Sequence, residues 1–278
     1  MTGDPLALVD LSRYPIDQPG TTSFDVAVRD ARGQLAATGA AELSGFVHAD
    51  GVDMLVADAA AMAERAFHSG GLGTAYLELP EEHWAADHPR KTWANYAVGA
   101  VGYDVVPRTS PLRAIYESDE LLGFLEAVLD RGPLFRYADP CGALNLAVMG
   151  EGDELQWHFD QTDFVVSLAI QAAESGGDFD VVPRIRSGED ERYEDVARVL
   201  RDDHDGVVTL PMTPGTLLIF EGRHSLHRVS PIKGARLRHV GLLAYDTKPG
   251  TVSSDLLREV RYCRVAAFTE PPVTWPPS

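Results

Sequence analysis

With 278 residues, 45% of them hydrophobic and 24% charged, the chain is long enough to bury one sizeable core. Its formal charge of -18 works against polyphosphate chains and anionic membranes, so neither nucleic acid nor a membrane is expected as a partner. Two isolated cysteines, Cys141 and Cys263, exclude a disulfide scaffold or a structural zinc module, and no run nears the roughly 18 apolar residues of a membrane span. Met1 to Asp10 lacks a basic segment followed by an apolar run, so a cytoplasmic location is expected.

The chain reads as a single domain, 1-278, with helical and irregular support over 1-132, a β core over 133-247 and an extension over 248-278. From Gly51, the residues Val52, Leu55, Ala59, Met62, Ala66 and Phe67 recur at helical steps, and Gly70-Gly71 reads as the stop. Ser118 is placed as the N-cap of a second helix, with Asp119 and Glu120 in its first turn, an apolar face through Leu121, Leu125 and Val128, and a close at Gly132-Pro133. Between them, Leu72 to Pro111 shows no sustained period and is expected to form loops that shape a pocket.

Past Pro133, short runs of Val, Leu, Ile and Phe alternate with Gly, Pro and acidic turns, the texture of antiparallel strands. Strands are expected near 143-149, 154-160, 164-171, 178-182, 206-210, 216-220, 225-230 and 236-245, a mainly β fold of jelly-roll type with supporting N-terminal helices. Tyr193, Val196, Val199 and Leu200 signal a surface helix inserted within 187-203, and Pro271 to Ser278 forms a proline-rich tail.

Chemistry concentrates in Glu154 to Asp160, where strand alternation puts His158 and Asp160 on one face and Leu155, Trp157 and Phe159 on the other. An imidazole beside a carboxylate is a ready ligand pair for a borderline divalent metal, although a His-x-Asp alone is as readily an ordinary hydrogen-bonded pair. A third ligand is sought in Gly222 to Pro231, where His224 and His227 compete. His227 shares a face with Ser225 and Val229 in a regular strand, whereas His224 has the opposite parity. Arg236 and Arg238 follow on one face of the last strand, and an inward guanidinium calls for a carboxylate partner. Asp163 could replace Asp160 only if the strand broke. Asn145 and Trp157 are candidate pocket residues, although a tryptophan of opposite parity to His158 is more often a core residue.

His158-Phe159-Asp160, a distal His227 and an Arg about ten residues beyond it together resemble the Fe(II)/2-oxoglutarate-dependent dioxygenases. The resemblance implies a double-stranded β-helix with His158, Asp160 and His227 as ligands of Fe(II). It also implies 2-oxoglutarate and O2 as cosubstrates, with Arg238 or Arg236 on the distal carboxylate of 2-oxoglutarate. Tyr137-Ala138-Asp139-Pro140, Leu144-Asn145-Leu146, Trp157-His158-Phe159-Asp160, Gly176-Gly177-Asp178-Phe179 and Leu226-His227-Arg228-Val229 carry a narrower resemblance, to bacterial radical oxygenases and halogenases of free amino acids. In the halogenating members a small residue replaces the metal carboxylate. Asp160 fills that position here, which implies hydroxylation or a related C–H oxidation rather than chlorination, in a hydroxylase of specialised metabolism acting on a small molecule, a free amino acid, with a homodimer compatible with the sequence. The competing expectations are a non-enzymatic jelly-roll protein that binds a metal or an anion, and an oxygenase of a carrier- or protein-bound substrate.

Overall fold

The computed structural model describes residues 5-262; the proline-rich tail and Cys263 fall outside the described residues. In chain order the helices are α1 (Thr22–Thr38), α2 (Ala49–Ala63), α3 (Pro111–Glu117), α4 (Asp119–Leu129), α5 (Tyr193–Leu200) and α6 (Asp255–Tyr262). The strands are β1 (Ala40–Leu43), β2 (Phe67–Thr74), β3 (Trp93–Gly102), β4 (Phe135–Arg136), β5 (Leu144–Met149), β6 (Glu154–His158), β7 (Val165–Gln171), β8 (Phe179–Val182), β9 (Val208–Leu210), β10 (Leu217–Phe220), β11 (Leu226–Val229), β12 (Arg238–Leu243) and β13 (Tyr245–Asp246).

All but β4 and β13, which pair with each other, join one curled antiparallel sheet in the order β1-β10-β7-β12-β5-β3-β6-β11-β8-β9, with β2 paired to β3 off this path. β3 is the hinge of this curl: Gly99 to Gly102 pair with β5, while Tyr96 and Ala97 pair with β6. The two arms face each other as in a jelly roll, and strand alternation decides what lies between them. Ala147 and Met149 on β5, Phe179 and Val181 on β8, Leu218 and Phe220 on β10, and Val240 on β12 form the inner cluster. Their neighbours Leu146, Val148, Leu217, Ile219 and Leu243 point outward, where Leu55 of α2, Leu112 of α3 and Leu121, Phe124 and Leu125 of α4 cover them. A third cluster, with Trp157, Phe159, Val182 and Leu226 under Val196 and Val199 of α5, backs the other arm. At Gly241 a Cβ would come 2.7 Å from Leu112 Cδ1, so the absent side chain lets α3 lie directly on β12.

The strands expected after Pro133 form within a few residues of their expected bounds, and Ser118 caps α4 by accepting from the Leu121 amide at 3.0 Å. The first third departs from expectation. Gly70-Gly71 does not stop a helix, because α2 ends at Ala63 and both glycines lie inside β2. Nor is 72-111 a stretch of loops, since it contains the ten residues of β3 and the start of α3. A Cβ at Gly71 or Gly73 would fall 3.5 Å from the Tyr96 ring system on β3, so an aromatic side chain covers what two side-chain-less positions leave bare. Strand pairing thus overrides local propensity, and that pairing partner is distant in the pattern rather than local. The helices α1, α3 and α6 were not foreseen; α1 carries Phe24, Val28, Ala31 and Leu35 on its buried side and is capped by Thr21.

Leu125 on α4 is fully buried in the outer cluster. Leu125→Ala is expected to lower unfolding free energy by about 2–5 kcal/mol, read as a reduced urea midpoint with an unchanged denaturant slope.

Candidate metal centre

β6 and β11 run antiparallel with His158 directly opposite His227, and their rings lie 4.2 Å apart between centroids. Each imidazole is oriented by the carbonyl two residues before it. Nδ1 of His158 lies 2.7 Å from the Gln156 carbonyl, and Nδ1 of His227 lies 2.9 Å from that of Ser225. A carbonyl only accepts, so Nδ1 carries the hydrogen and the Nε2 lone pair of each ring is left for another partner.

That partner side is where Asp160 stands. β6 ends at His158, and the next two residues are fixed from outside the strand: the Phe159 amide donates to Ala75 at 2.8 Å, and the Asp160 amide donates to Gly222 at 3.1 Å. The Phe159 ring, buried beside Tyr76 and under the Arg186 guanidinium at 3.9 Å, turns the opposite way and so aims Asp160 inward. Oδ2 of Asp160 is 3.1 Å from Nε2 of His227, yet it is buried without a hydrogen bond of acceptable geometry. Ligand atoms of His158, Asp160 and His227 all fall within 4.8 Å of one another.

This donor set fits a divalent metal held by two imidazoles and one carboxylate. Three observations carry the fit: the Nε2 lone pairs converge, the Asp160 oxygen is an orphan, and their Nδ1 partners are the kind of outer support that metal-binding histidines have. A fourth is steric. A Cβ at Gly222 would collide with the Asp160 carboxylate and stand 3.0 Å from its Cβ, so the carboxylate occupies space that only glycine leaves.

Burial, then the neighbouring His227, push the His158 imidazole down to about 4, which keeps it neutral and able to ligate near pH 7. Burial also works against charge on Asp160 and His227, but their mutual attraction outweighs it, holding the carboxyl low and the imidazole high. Phe179 and Phe220 wall the His227 ring on its other sides, with centroids 5.5 and 5.0 Å away.

These residues open onto a cavity of about 540 Å³ inside the curl, which Arg238 also lines. Arg238 begins β12, opposite Met149, and its only hydrogen-bonding contact among the described residues is Nη1 to the Met149 sulfur at 3.7 Å. Burial draws its guanidinium down to about 10, against a partial offset from Asp178. A Cβ at Gly177 would be 2.9 Å from Arg238 Cδ, so a second glycine makes room for a functional side chain. A buried guanidinium aimed into a cavity is suited to a carboxylate.

Arg236 is placed differently. It precedes the strand, is exposed, and donates to the carbonyls of Ala172 at 2.9 Å and Ala173 at 2.8 Å, so the two arginines do not share a strand face. Asn145 lines the cavity from β5, whereas Trp157 packs in the outer cluster with the Arg228 guanidinium 4.7 Å over its ring and borders a smaller neighbouring cavity. His224 sits in the turn before β11, outside the cluster of three. Asp163 lies on the cavity rim, paired with Arg223 at 2.5 Å and Arg131 at 3.2 Å. Leu155 breaks the alternation expected of Glu154 to Asp160: a bulge sets Leu155 opposite Val229 and His158 opposite His227, so both line the cavity. Residues beyond the β core complete the wall, among them Lys248, Thr251 and Arg261. Leu256, Leu257 and Val260 gave a helical signal for that segment, but nothing local says that the helix returns to the cavity mouth.

Gly222→Ala is expected to keep the fold and weaken divalent-metal affinity about 10- to 100-fold, measured by titrating the metal-free protein with Fe(II) under anaerobic conditions.

The Halogenase D family model matches residues 25–260. Among solved structures, the non-heme alpha ketoglutarate dependent epimerase SnoN from nogalamycin biosynthesis superposes with a TM-score of 0.57 at 12% identity, covering 90% of this chain and 94% of that one. AviO1 from Streptomyces viridochromogenes Tue57 gives 0.53 at 19% identity, with 81% and 96% covered. A prolyl hydroxylase from Trichoplax adhaerens, in complex with a hypoxia inducible factor peptide fragment, gives 0.50 at 15%, with 83% and 94% covered. No curated protein matches the sequence significantly. The structural likenesses show a shared fold, and the match over residues 25–260 shows that the chain belongs to the Halogenase D family.

Proposed function

We propose that the protein is an Fe(II)/2-oxoglutarate-dependent oxygenase that hydroxylates a C–H bond of a small molecule, a free amino acid, in specialised metabolism. The observation that carries this reading is the convergence of two neutral-side imidazole nitrogens and an unpartnered carboxylate oxygen in one cavity with Arg238. SnoN has also been seen in complex with Fe3+, alpha ketoglutarate and nogalamycin RO, at a TM-score of 0.54 to this chain, which supports the same cofactor pair on this fold.

His158, Asp160 and His227 would hold the Fe(II), leaving three coordination positions, and Arg238 would pair with the distal carboxylate of 2-oxoglutarate. Bound iron with 2-oxoglutarate and O2 supplies oxidation of an unactivated C–H bond, with succinate and CO2 as coproducts. The chain's own part is positional. The Gln156 and Ser225 carbonyls hold the protons on Nδ1, Phe179 and Phe220 exclude water from one side of the ligand set, and Asn145 offers an amide to substrate from the opposite wall.

Family membership favours a second reading, halogenation, which Asp160 opposes. A halide would need the position the carboxylate takes, and a second anion beside it is electrostatically disfavoured. A panel of free amino acids that includes lysine, arginine, ornithine and the branched aliphatics, supplied with Fe(II), 2-oxoglutarate, ascorbate and chloride, separates the readings by product mass. A gain of oxygen supports hydroxylation; a chlorinated product from the native protein removes it. Absence of amino acid-stimulated succinate would remove the amino acid assignment, and absence of any iron-dependent succinate would leave a metal- and anion-binding jelly roll.

Alanine at His158, Asp160 or His227 is expected to abolish iron binding and succinate release, whereas His224→Ala keeps both. Arg238→Ala should raise the KM for 2-oxoglutarate at least about tenfold with little change in iron affinity, since breaking a desolvated charge pair costs about 2–5 kcal/mol.

A further inference from the structure

Beside the metal-site cavity lies a second one of about 200 Å³, between the β2–β3 hairpin and α6. Its lining is apolar, with Leu72, Leu79, Trp93, Tyr96, Leu256 and Val260. The two cavities are contiguous: Leu77, Leu155, His158, Gln161, Leu257 and Arg261 border both. A dry cavity of about 150 Å³ accommodates benzene, so the annex has room for an aromatic ring or a branched alkyl group.

Arg261 stands at the junction. It is half-buried on the last turn of α6 and has neither a hydrogen bond nor an ion pair among the described residues. The other cations of the cavity are placed otherwise, Lys248 being exposed at its rim. Arg223 is tied to Asp163 and the Gln161 carbonyl, and Arg238 lies deeper, beside Met149. In a chain of net charge -18, an arginine with no ion pair among the described residues, at the meeting point of two cavities, is a site for an anion brought by the ligand. Arg261 shares this junction with His158, which borders both cavities, so an anion held there lies within a small molecule's reach of the metal ligands.

We infer that the joined cavities form a two-part substrate site, in which Arg261 binds the substrate's carboxylate and the annex takes an aromatic or branched aliphatic group. The inference rests on the oxygenase reading above and narrows its substrate class to apolar carboxylic acids, such as hydrophobic amino acids, over cationic ones. The annex explains why Leu72, Leu79, Trp93 and Leu256 stand exposed around one opening: the surface is apolar where the ligand's apolar group enters. Continuity with the metal-site cavity favours a small molecule over a docked protein, because one ligand must touch both parts.

Trp93, about half exposed in the annex wall, is an internal reporter. L-phenylalanine, L-leucine, L-lysine and L-phenylalaninamide are titrated into the full-length, iron-free protein while tryptophan emission is followed. Phenylalanine and leucine should give a saturable change that Trp93→Phe diminishes, Trp157 in the same annex keeping part of it, with lysine and the amide binding at least about tenfold more weakly. Arg261→Gln should weaken phenylalanine binding at least about tenfold and leave the amide's weak binding as it was, and Arg261→Lys should recover part of the loss. Leu72→Asp and Leu256→Asp, both at exposed positions, should weaken phenylalanine at the annex without touching the arginine. Equal binding of acid and amide, tighter binding of lysine, or indifference to all the Arg261 and annex variants would overturn the inference. Iron- and 2-oxoglutarate-dependent succinate, measured on the reconstituted enzyme, keeps the two readings apart. Succinate release without this binding pattern discards the annex alone. The pattern without succinate release leaves an acid-binding site and discards the oxygenase reading.

Discussion

Holding an imidazole pair and a carboxylate together inside an apolar curl, with their lone pairs unspent, is the constraint on which this structure turns. Such groups favour water, or a partner, over an unpaired position in a core. Here each imidazole is given one hydrogen bond, to the carbonyl two residues earlier on its own strand, and is denied the second. That arrangement needs the β6–β11 pair to keep its register at His158 and His227, and the bulge that follows is what lets this one register coexist with the rest of the ladder.

Rigidity comes from behind. The two arms of the curl are each backed by an apolar layer, α2 to α4 on one side and α5 with Tyr76 and Phe159 on the other. Phe159 links the layers to the chemistry. Being anchored between a tyrosine ring and a guanidinium, it determines which way its neighbours His158 and Asp160 can point. The site is therefore precise because sequence neighbours alternate between a packed outer layer and an open inner one, so tight packing of one residue positions the next.

The same alternation explains what could be read from the sequence. The ligand trio and the choice of His227 over His224 depend on parity within short apolar strands, and parity is a local property; it puts Arg236 and Arg238 on one face and does not separate them. In the structure the three ligand candidates come together, while Arg238 lies inside and Arg236, ahead of the strand, donates to two backbone carbonyls, a separation that parity does not give. What escaped was non-local. β2 and β3 look irregular because glycines and aromatics obscure their period, and they become strands only through pairing across Tyr96. Leu155 was assigned to the wrong face because a bulge depends on the partner strand. Arg261 drew no notice because its relevance lies in where α6 comes to rest against β2 and β3.

Asp160 and Gly222 are best understood as one feature. In a family named for halogenation, the carboxylate at 160 is the residue that would decide whether a halide can approach, and a carboxylate needs more volume than a small residue would. The structure provides that volume in the adjoining turn between β10 and β11 rather than at position 160 itself. Gly222, whose carbonyl accepts from the Asp160 amide, contributes no Cβ where the Asp160 oxygen lies, and a neighbouring Val165 methyl would stand only 3.0 Å from one. A change at 160 alone would thus leave a void facing Gly222 and remove a charge, and a change at 222 alone would displace the carboxylate. The place of the carboxylate is set by the pair, through the space that one residue yields to the other.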